Sequence, residues 1–373
     1  MEVKIRGADI WEKCTMKEIF LNDSMKELRL SIIFDGAESA EREFSKAAKI
    51  VEAQGAQVVA LEVFSAKWAE PAVEKFCKSS GSKFPVNWIC PLDENAKPVL
   101  ASAHITAISG GSAQTLETPD GSVAVKYDDG FAAYVRTFGI ASEFRNDDGY
   151  LHTLANLKEL EKAVGLFGCK YTDIARTWFY NDDILSWYPS FNKARTEFYR
   201  DKGVFDSLLP ASTGIGAPNP KGAKITSGAI ALLPSEKGRN FEVFEVDSPL
   251  QCGAPEYGSS FSRAVEIRTP KSRRVMISGT ASIEPGGKTA FVGDAEKQID
   301  LTMRVIEAIL SARGMGFGDV VHSVAYCLRP EYYGAFKAWL SAKSVDIPHC
   351  PSFSIVCRHD LLFEVELEAA KKA

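Results

Sequence analysis

Short β-branched runs alternate along this chain with segments whose apolar residues recur at helical spacing, and the alternation repeats. Residues 134–142 read as a strand and 154–165 as a helix; 173–180 and 184–200 read as a second strand and helix. The same order returns at 275–282, 296–310, 319–326 and 332–342. Within 296–310, Ile299, Met303, Ile306 and Leu310 form an apolar stripe, while Glu296, Arg304 and Glu307 fall elsewhere, as for a helix packed on a sheet. Gly139, Ile140, Ala141 and Ser142 stand where Gly279, Thr280, Ala281 and Ser282 stand in the later copy.

The first third carries a fainter version. Residues 28–34 and 57–64 read as strands and 40–55 as a helix, with Phe44, Ala47, Ile50 and Val51 on one face. A short helix at 70–77 and strands at 85–90 and 101–108 complete it. Loop signals at 109–112 and 234–239 divide the chain into three modules, 1–110, 111–235 and 236–373. Repeats of this length imply duplicated domains, with function expected where the copies meet.

Bulk properties narrow the function. A chain of 373 residues is long for one core. A net charge of -5, with no basic stripe, argues against nucleic acid and against anionic membrane surfaces. Residues 1–6 hold no apolar signal core, and no apolar run approaches about 18 residues, so a cytoplasmic protein is expected. The eight cysteines are scattered without CxxC pairs, as for reduced thiols. The neighbours His349 and Cys350, and Cys357 with His359, match no common zinc spacing, so no metal is expected. The glycine-rich stretch 314–319 follows a helix and precedes a strand, which suits a helix C-cap rather than a phosphate loop. Residues 214–222 lack the Lys-Ser/Thr ending of a P-loop, and 278–282 have the wrong frame for a nucleophile elbow.

The last module resembles the YjgF/Rid superfamily. The resemblance lies in residues 278–282, the helix start from Gly293 and Asp294 to Gln298, Asp319 with its strand, and the closing stretch 365–369. In the middle module 209–216 looks like the family's penultimate strand and 224–230 like its last. The resemblance implies an α/β (α+β) fold of tandem Rid-like, chorismate-mutase-like modules. Each would be a mixed β-sheet covered on one face by two helices. Family members form trimers with ligand sites between subunits, so three modules in one chain would imitate a trimer. The pattern also departs from the family. The arginine that imine-hydrolysing members carry in the penultimate strand corresponds to Cys350 or Pro351 and to Ser212, and the last-strand glutamate is Thr226 in the middle module, surviving only as Glu364 or Glu366. Simple imine deamination is therefore not expected.

Residues 176–184, the helix segment 191–195 and the stretch 357–364 look like those of chorismatases, single chains that remove the enolpyruvyl group of chorismate. The resemblance implies a catalytic glutamate at Glu364. It also implies a 3-hydroxybenzoate product, because chorismatases with cysteine where Cys357 stands make that compound. A substrate with two carboxylates calls for arginines, and Arg176, Arg195, Arg263 and Arg358 are the candidates. Protonating a vinyl carbon calls for an acid held neutral near pH 7. Glu364, Glu366 and Glu368 alternate with Val365 and Leu367, so the three carboxylates share one strand face; the plain reading is that this face is solvated. Glu364, Glu366 and Cys357 are the expected catalytic positions, with Tyr257 and Tyr180 available to stack on or hydrogen-bond a ring. No cofactor is expected, and the partner would be a small carboxylate. The chain would act as a monomer or homo-oligomer. The competing readings are a non-catalytic ligand-binding or assembly protein and a hydrolase or deaminase of another enamine-type metabolite.

Overall fold

A computed structural model describes residues 14–92, 100–142 and 148–373. The N-terminal hexapeptide inspected for a signal core lies outside the described residues. Among the described residues no helix is long and apolar enough to cross a membrane.

Three mixed sheets follow one another with one topology. The first is built from β1 (Cys14–Phe20), β2 (Lys26–Phe34), β3 (Gln57–Phe64), β4 (Val86–Ile89) and β5 (Ala101–Ser109), in the order β1-β2-β5-β3-β4, with α1 (Ala37–Ala53) and α2 (Glu70–Ser79) in its connections. The second contains β6 (Ala113–Glu117), β7 (Val123–Asp128), β8 (Ala132–Ala141), β9 (Ile174–Asn181), β10 (Ala211–Gly216) and β11 (Ile225–Pro234), ordered β10-β9-β11-β8-β7-β6, with α3 (Gly149–Gly165) and α4 (Ile184–Asp201). The third contains β12 (Glu242–Val246), β13 (Ala264–Arg268), β14 (Ser272–Ala281), β15 (Val320–Cys327), β16 (Cys350–Phe353) and β17 (Phe363–Lys372), ordered β12-β13-β14-β17-β15-β16, with α5 (Ala295–Ala312) and α6 (Pro330–Ala342). In each sheet the last strand lies centrally, and the pairs β3–β4, β9–β10 and β15–β16 are parallel where their neighbours are antiparallel.

The helical periodicity explains the outer layer. Ile299, Met303, Ile306 and Leu310 of α5 are buried against Val275, Ile277, Val365 and Leu367, and the side chain of Asp294 caps the helix by accepting from the Lys297 amide at 3.0 Å. α4 is kinked at Trp187, two residues before Pro189. The opposite sheet faces turn inward, with Ile108, Tyr134, Ile230, Ile267 and Val324 among their apolar residues. β4 runs beside β8, β10 beside β14 and β16 beside β5, so the sheets close in a ring. Backbone or side-chain hydrogen bonds tie the seams: Ser212 N to Ser278 Oγ at 2.9 Å, Ser102 Oγ to the Pro351 carbonyl at 2.8 Å, and Cys90 N to the Pro218 carbonyl at 2.8 Å.

Three expectations need correction. The hairpin strands β1, β6, β7, β12 and β13 escaped the sequence reading. The middle-module position matching Cys350 is Thr213 rather than Ser212, because Cys350 pairs Val324 as Thr213 pairs Trp178. Finally, the carboxylate face of β17 is not solvated: Glu364, Glu366 and Glu368 are 5%, 2% and 6% exposed. The ring turns that face toward the centre, where water would otherwise have covered it.

Candidate active site

β17 presents its three glutamates to three different surroundings. Glu368, innermost, is clamped by Arg29 and by Arg274, whose Nε donates at 2.7 Å. These two guanidiniums outweigh burial and hold its pKa below the usual carboxylate range. Arg274 also reaches Glu27, which in turn accepts from Arg136 Nη2 at 3.0 Å and Tyr127 OH at 2.6 Å. Burial raises the pKa of Glu27, but Arg136, Arg274 and Arg29 overcome it and hold the group well below the ordinary range.

Glu366 accepts from Arg176 Nη2 at 2.6 Å and from Trp178 Nε1 at 2.9 Å. Arg176 Nη2 also donates to Thr213 Oγ1 at 2.6 Å, and Thr213 Oγ1 accepts from the Gly279 amide at 3.0 Å. Beside this pair a small central space is lined by Arg29, Arg136, Arg176, Glu62 and His322. His104 and His322 stack there with ring centroids 3.5 Å apart. Burial keeps both imidazoles neutral, and burial plus the Glu366 charge pushes Glu62 up to about 8. The ligand atoms of Glu62, His104 and His322 lie within 4.8 Å of one another, a donor set that suits a transition metal. The three arginines of the same space set the local field against a cation.

Glu364 faces a different space, the seam between the second and third sheets. A cavity is lined there by Glu364, Cys357, Arg195, Arg263, Arg358 and Tyr257, together with Tyr188, Phe261, Ser212 and Gly279. It widens into an outer recess that shares Tyr188, Tyr257, Ser259 and Arg358 with it. Burial, reinforced by the Glu366 charge, raises Glu364 to about 8, so the carboxyl is protonated at neutral pH. Burial likewise pushes the Cys357 thiol up to about 12, with the Glu364 charge adding to it. Cys357 is therefore a neutral thiol at neutral pH, not a thiolate.

None of Arg195, Arg263 and Arg358 forms an ion pair with a carboxylate among the described residues. Arg195 is 2% exposed, donates to Asn192 Oδ1 at 2.8 Å, and has an unpartnered Nε; its guanidinium lies 4.8 Å from the Phe191 ring centroid. Arg263 donates from Nε to the Cys252 carbonyl at 2.9 Å, leaves Nη2 unpartnered, and lies 5.4 Å from the Tyr257 ring centroid. Arg358 donates to the Gly287 carbonyl and sits 5.8 Å from the same ring. Arg195 and Arg263, buried with spare donors, and the half-buried Arg358 beside them form a receptor for carboxylates.

Six of the nine expected site residues thus meet in one cavity. The other three do not. Arg176 and Glu366 are committed to each other in the central space, and Tyr180 hydroxyl meets Tyr326 hydroxyl at 3.2 Å. A substrate-binding role for Arg176 and Tyr180 meets that physical obstacle. The sequence reading missed Tyr188, which walls the cavity beside Phe261, and Gly279, which makes room for Glu364. It also missed the inner network of Glu27, Arg29, Glu62, His104, Arg136, Arg274 and His322. A signal did exist: each is a charged or imidazole residue at an inward position of an otherwise apolar strand.

Comparison with known proteins agrees with this architecture. The Endoribonuclease L-PSP family matches residues 253–371. A chorismatase from Streptomyces hygroscopicus is 26% identical over 275 residues, covering 66% of this chain and 74% of that protein. A chorismatase from Streptomyces rapamycinicus is 27% identical over 229 residues, covering 54% of this chain and 65% of that protein. A chorismatase crystal structure overlays with a TM-score of 0.59 at 19% identity, covering 84% of this chain and 93% of that one. The fold and site define a protein of tandem Rid-like modules. Residues 253–371 match that family, and the chain as a whole is similar in sequence and fold to chorismatases.

Proposed function

We propose that this enzyme removes the enolpyruvyl group from chorismate, or from a closely similar cyclic dicarboxylate, and releases pyruvate. The observation that carries the reading is the pairing of a protonated Glu364 with three arginines that have no carboxylate partner among the described residues, all lining one cavity. Arg195, Arg263 and Arg358 would hold the two carboxylates, and Tyr257, Tyr188 and Phe261 would flank the ring.

Glu364 gives its proton to the terminal methylene of the enol ether, which becomes a methyl group and leaves an oxocarbenium at the ether carbon. Water adds at that carbon and returns a proton to Glu364. The hemiketal then breaks its bond to the ring oxygen, which takes up a proton, giving pyruvate and a cyclohexadiene diol. General acid catalysis contributes about 10²–10⁴-fold. Carboxylate positioning and the fixed charges of the cavity supply the rest. Cys357 borders Glu364 and could steer the ring product toward 3-hydroxybenzoate, which the likeness to cysteine-bearing chorismatases favours. The residues involved need no cofactor for these steps. A cytoplasmic setting goes with this reading, and the closed ring of three sheets would let one chain stand in for a trimer.

Incubation of the protein with chorismate, coupled to a pyruvate assay, tests the reading. Stoichiometric pyruvate is expected. The absence of both pyruvate and a thermal shift with chorismate would overturn it.

A further inference from the structure

We propose that the seam between the first and second sheets is a second ligand site, taking a small cyclic or aromatic hydroxy-carboxylate and binding it without turnover. This seam repeats the geometry of the Glu364 cavity. Thr226 pairs Ala141 and Tyr180 as Glu364 pairs Ala281 and Tyr326, so Thr226 stands at the position of the acid. Gly139 occupies the place of Gly279 in the matching strand. β4 leans on β8 here as β10 leans on β14 in the other seam.

The space is present. A cavity lies between the two sheets, walled by Phe84, Trp88 and Phe138 and bordered by Lys221, Asn219 and Thr226. Trp88 donates its indole N–H to the Ser65 carbonyl at 2.7 Å, which fixes the ring and leaves its face for stacking. The Lys221 ammonium donates to the Gly139 carbonyl at 2.9 Å and has no carboxylate partner among the described residues. An ammonium has three donors, so it can also hold one carboxylate. Thr226 is 2% exposed and its Oγ1 has no hydrogen-bond partner. A buried hydroxyl left unmatched costs free energy, which a ligand hydroxyl would recover. One cation, one unmatched hydroxyl and three aromatic rings describe a ring compound bearing one carboxylate and one hydroxyl. With threonine in place of the acid, the seam has no proton to give to carbon.

The test is calorimetric titration of the full-length protein with 3-hydroxybenzoate, in a background that disables the other cavity through Arg263→Ala. We expect a binding isotherm in that background. Adding Lys221→Ala should weaken it by about tenfold or more, as loss of a charge-assisted contact does, with Lys221→Gln giving the same loss. Lys221→Ala alone should leave pyruvate release from chorismate unchanged. No isotherm in the Arg263→Ala protein, or equal affinity with and without Lys221, overturns the second site. Because the readout is binding, a chain inactive on chorismate would not disturb the result.

Discussion

Glu364 Oε1 occupies the space that a side chain at Gly279 would need: a β-carbon built there would come within 2.0 Å of the carboxylate oxygen. The acid pairs Ala281 across the adjacent strands β17 and β14, and the glycine lies in the bulge of β14 just before it. The missing side chain, not backbone freedom, is what the position requires. Gly279→Ala should therefore displace the carboxyl and cut kcat/KM for chorismate by about 10²-fold, the scale of loss from misplacing a reacting group. Steady-state pyruvate release measures it, and wild-type kinetics in that variant would contradict the packing.

The pH profile follows from the raised Glu364. Its carboxyl moves from 4.5 to about 8 through burial first and the Glu366 charge second. The protonated form is the active one, so activity should hold below pH 8 and fall about tenfold per unit above it. Glu366→Gln removes the second cause and should shift this basic limb to lower pH. The sign for stability is opposite to that of a salt-bridged carboxylate. Below pH 4.5 both folded and unfolded chains are protonated, while between 4.5 and 8 only the folded one is, so the contribution is lost as pH rises. Glu364→Gln should accordingly raise Tm at pH 8 and change it little at pH 4.

Arginines of the two spaces should separate by phenotype. Arg195→Ala and Arg263→Ala should weaken chorismate binding by about 10- to 100-fold with modest effect on stability. Arg176→Ala should instead cost about 3–5 kcal/mol of folding stability, because it leaves Glu366 buried without its partner. Chorismate titration and urea unfolding of the three variants make the comparison. A stable Arg176→Ala protein with lost substrate affinity would reverse the assignment.

Cys357 should be inert to alkylation. With a pKa near 12, only about 10⁻⁴ of the thiol ionises at pH 8. Iodoacetamide should leave it unmodified while a model thiol reacts fully, as read by peptide mass analysis. Rapid labelling at pH 8 would contradict its described surroundings.

The repeat was legible because amphipathic helices such as α5 announce their faces at a period of 3.6, whichever fold they serve. The alternation of Glu364, Glu366 and Glu368 was legible too, and so was the convergence of Arg195, Arg263 and Arg358 near them. The fate of that carboxylate face was not. Burial of Glu368 depends on Arg29, 339 positions away, and on Arg274, 94 away, and no local pattern encodes such pairings. The strands β6, β7 and β12 were missed because they are short and largely polar on their open faces, so tertiary pairing, not propensity, makes them strands. The partner of Arg176 was hidden for the same reason. Its sequence neighbourhood is aromatic in the manner of a binding site, while its guanidinium is spent on Glu366 across the ring.

The central claim is that a neutral Glu364 delivers the proton. Glu364→Gln keeps the shape of the acid and removes the transferable proton. Chorismate affinity by calorimetry should stay within about threefold of wild type while pyruvate release falls by about 10³-fold or more. Pyruvate release at the wild-type rate from this variant would contradict the account.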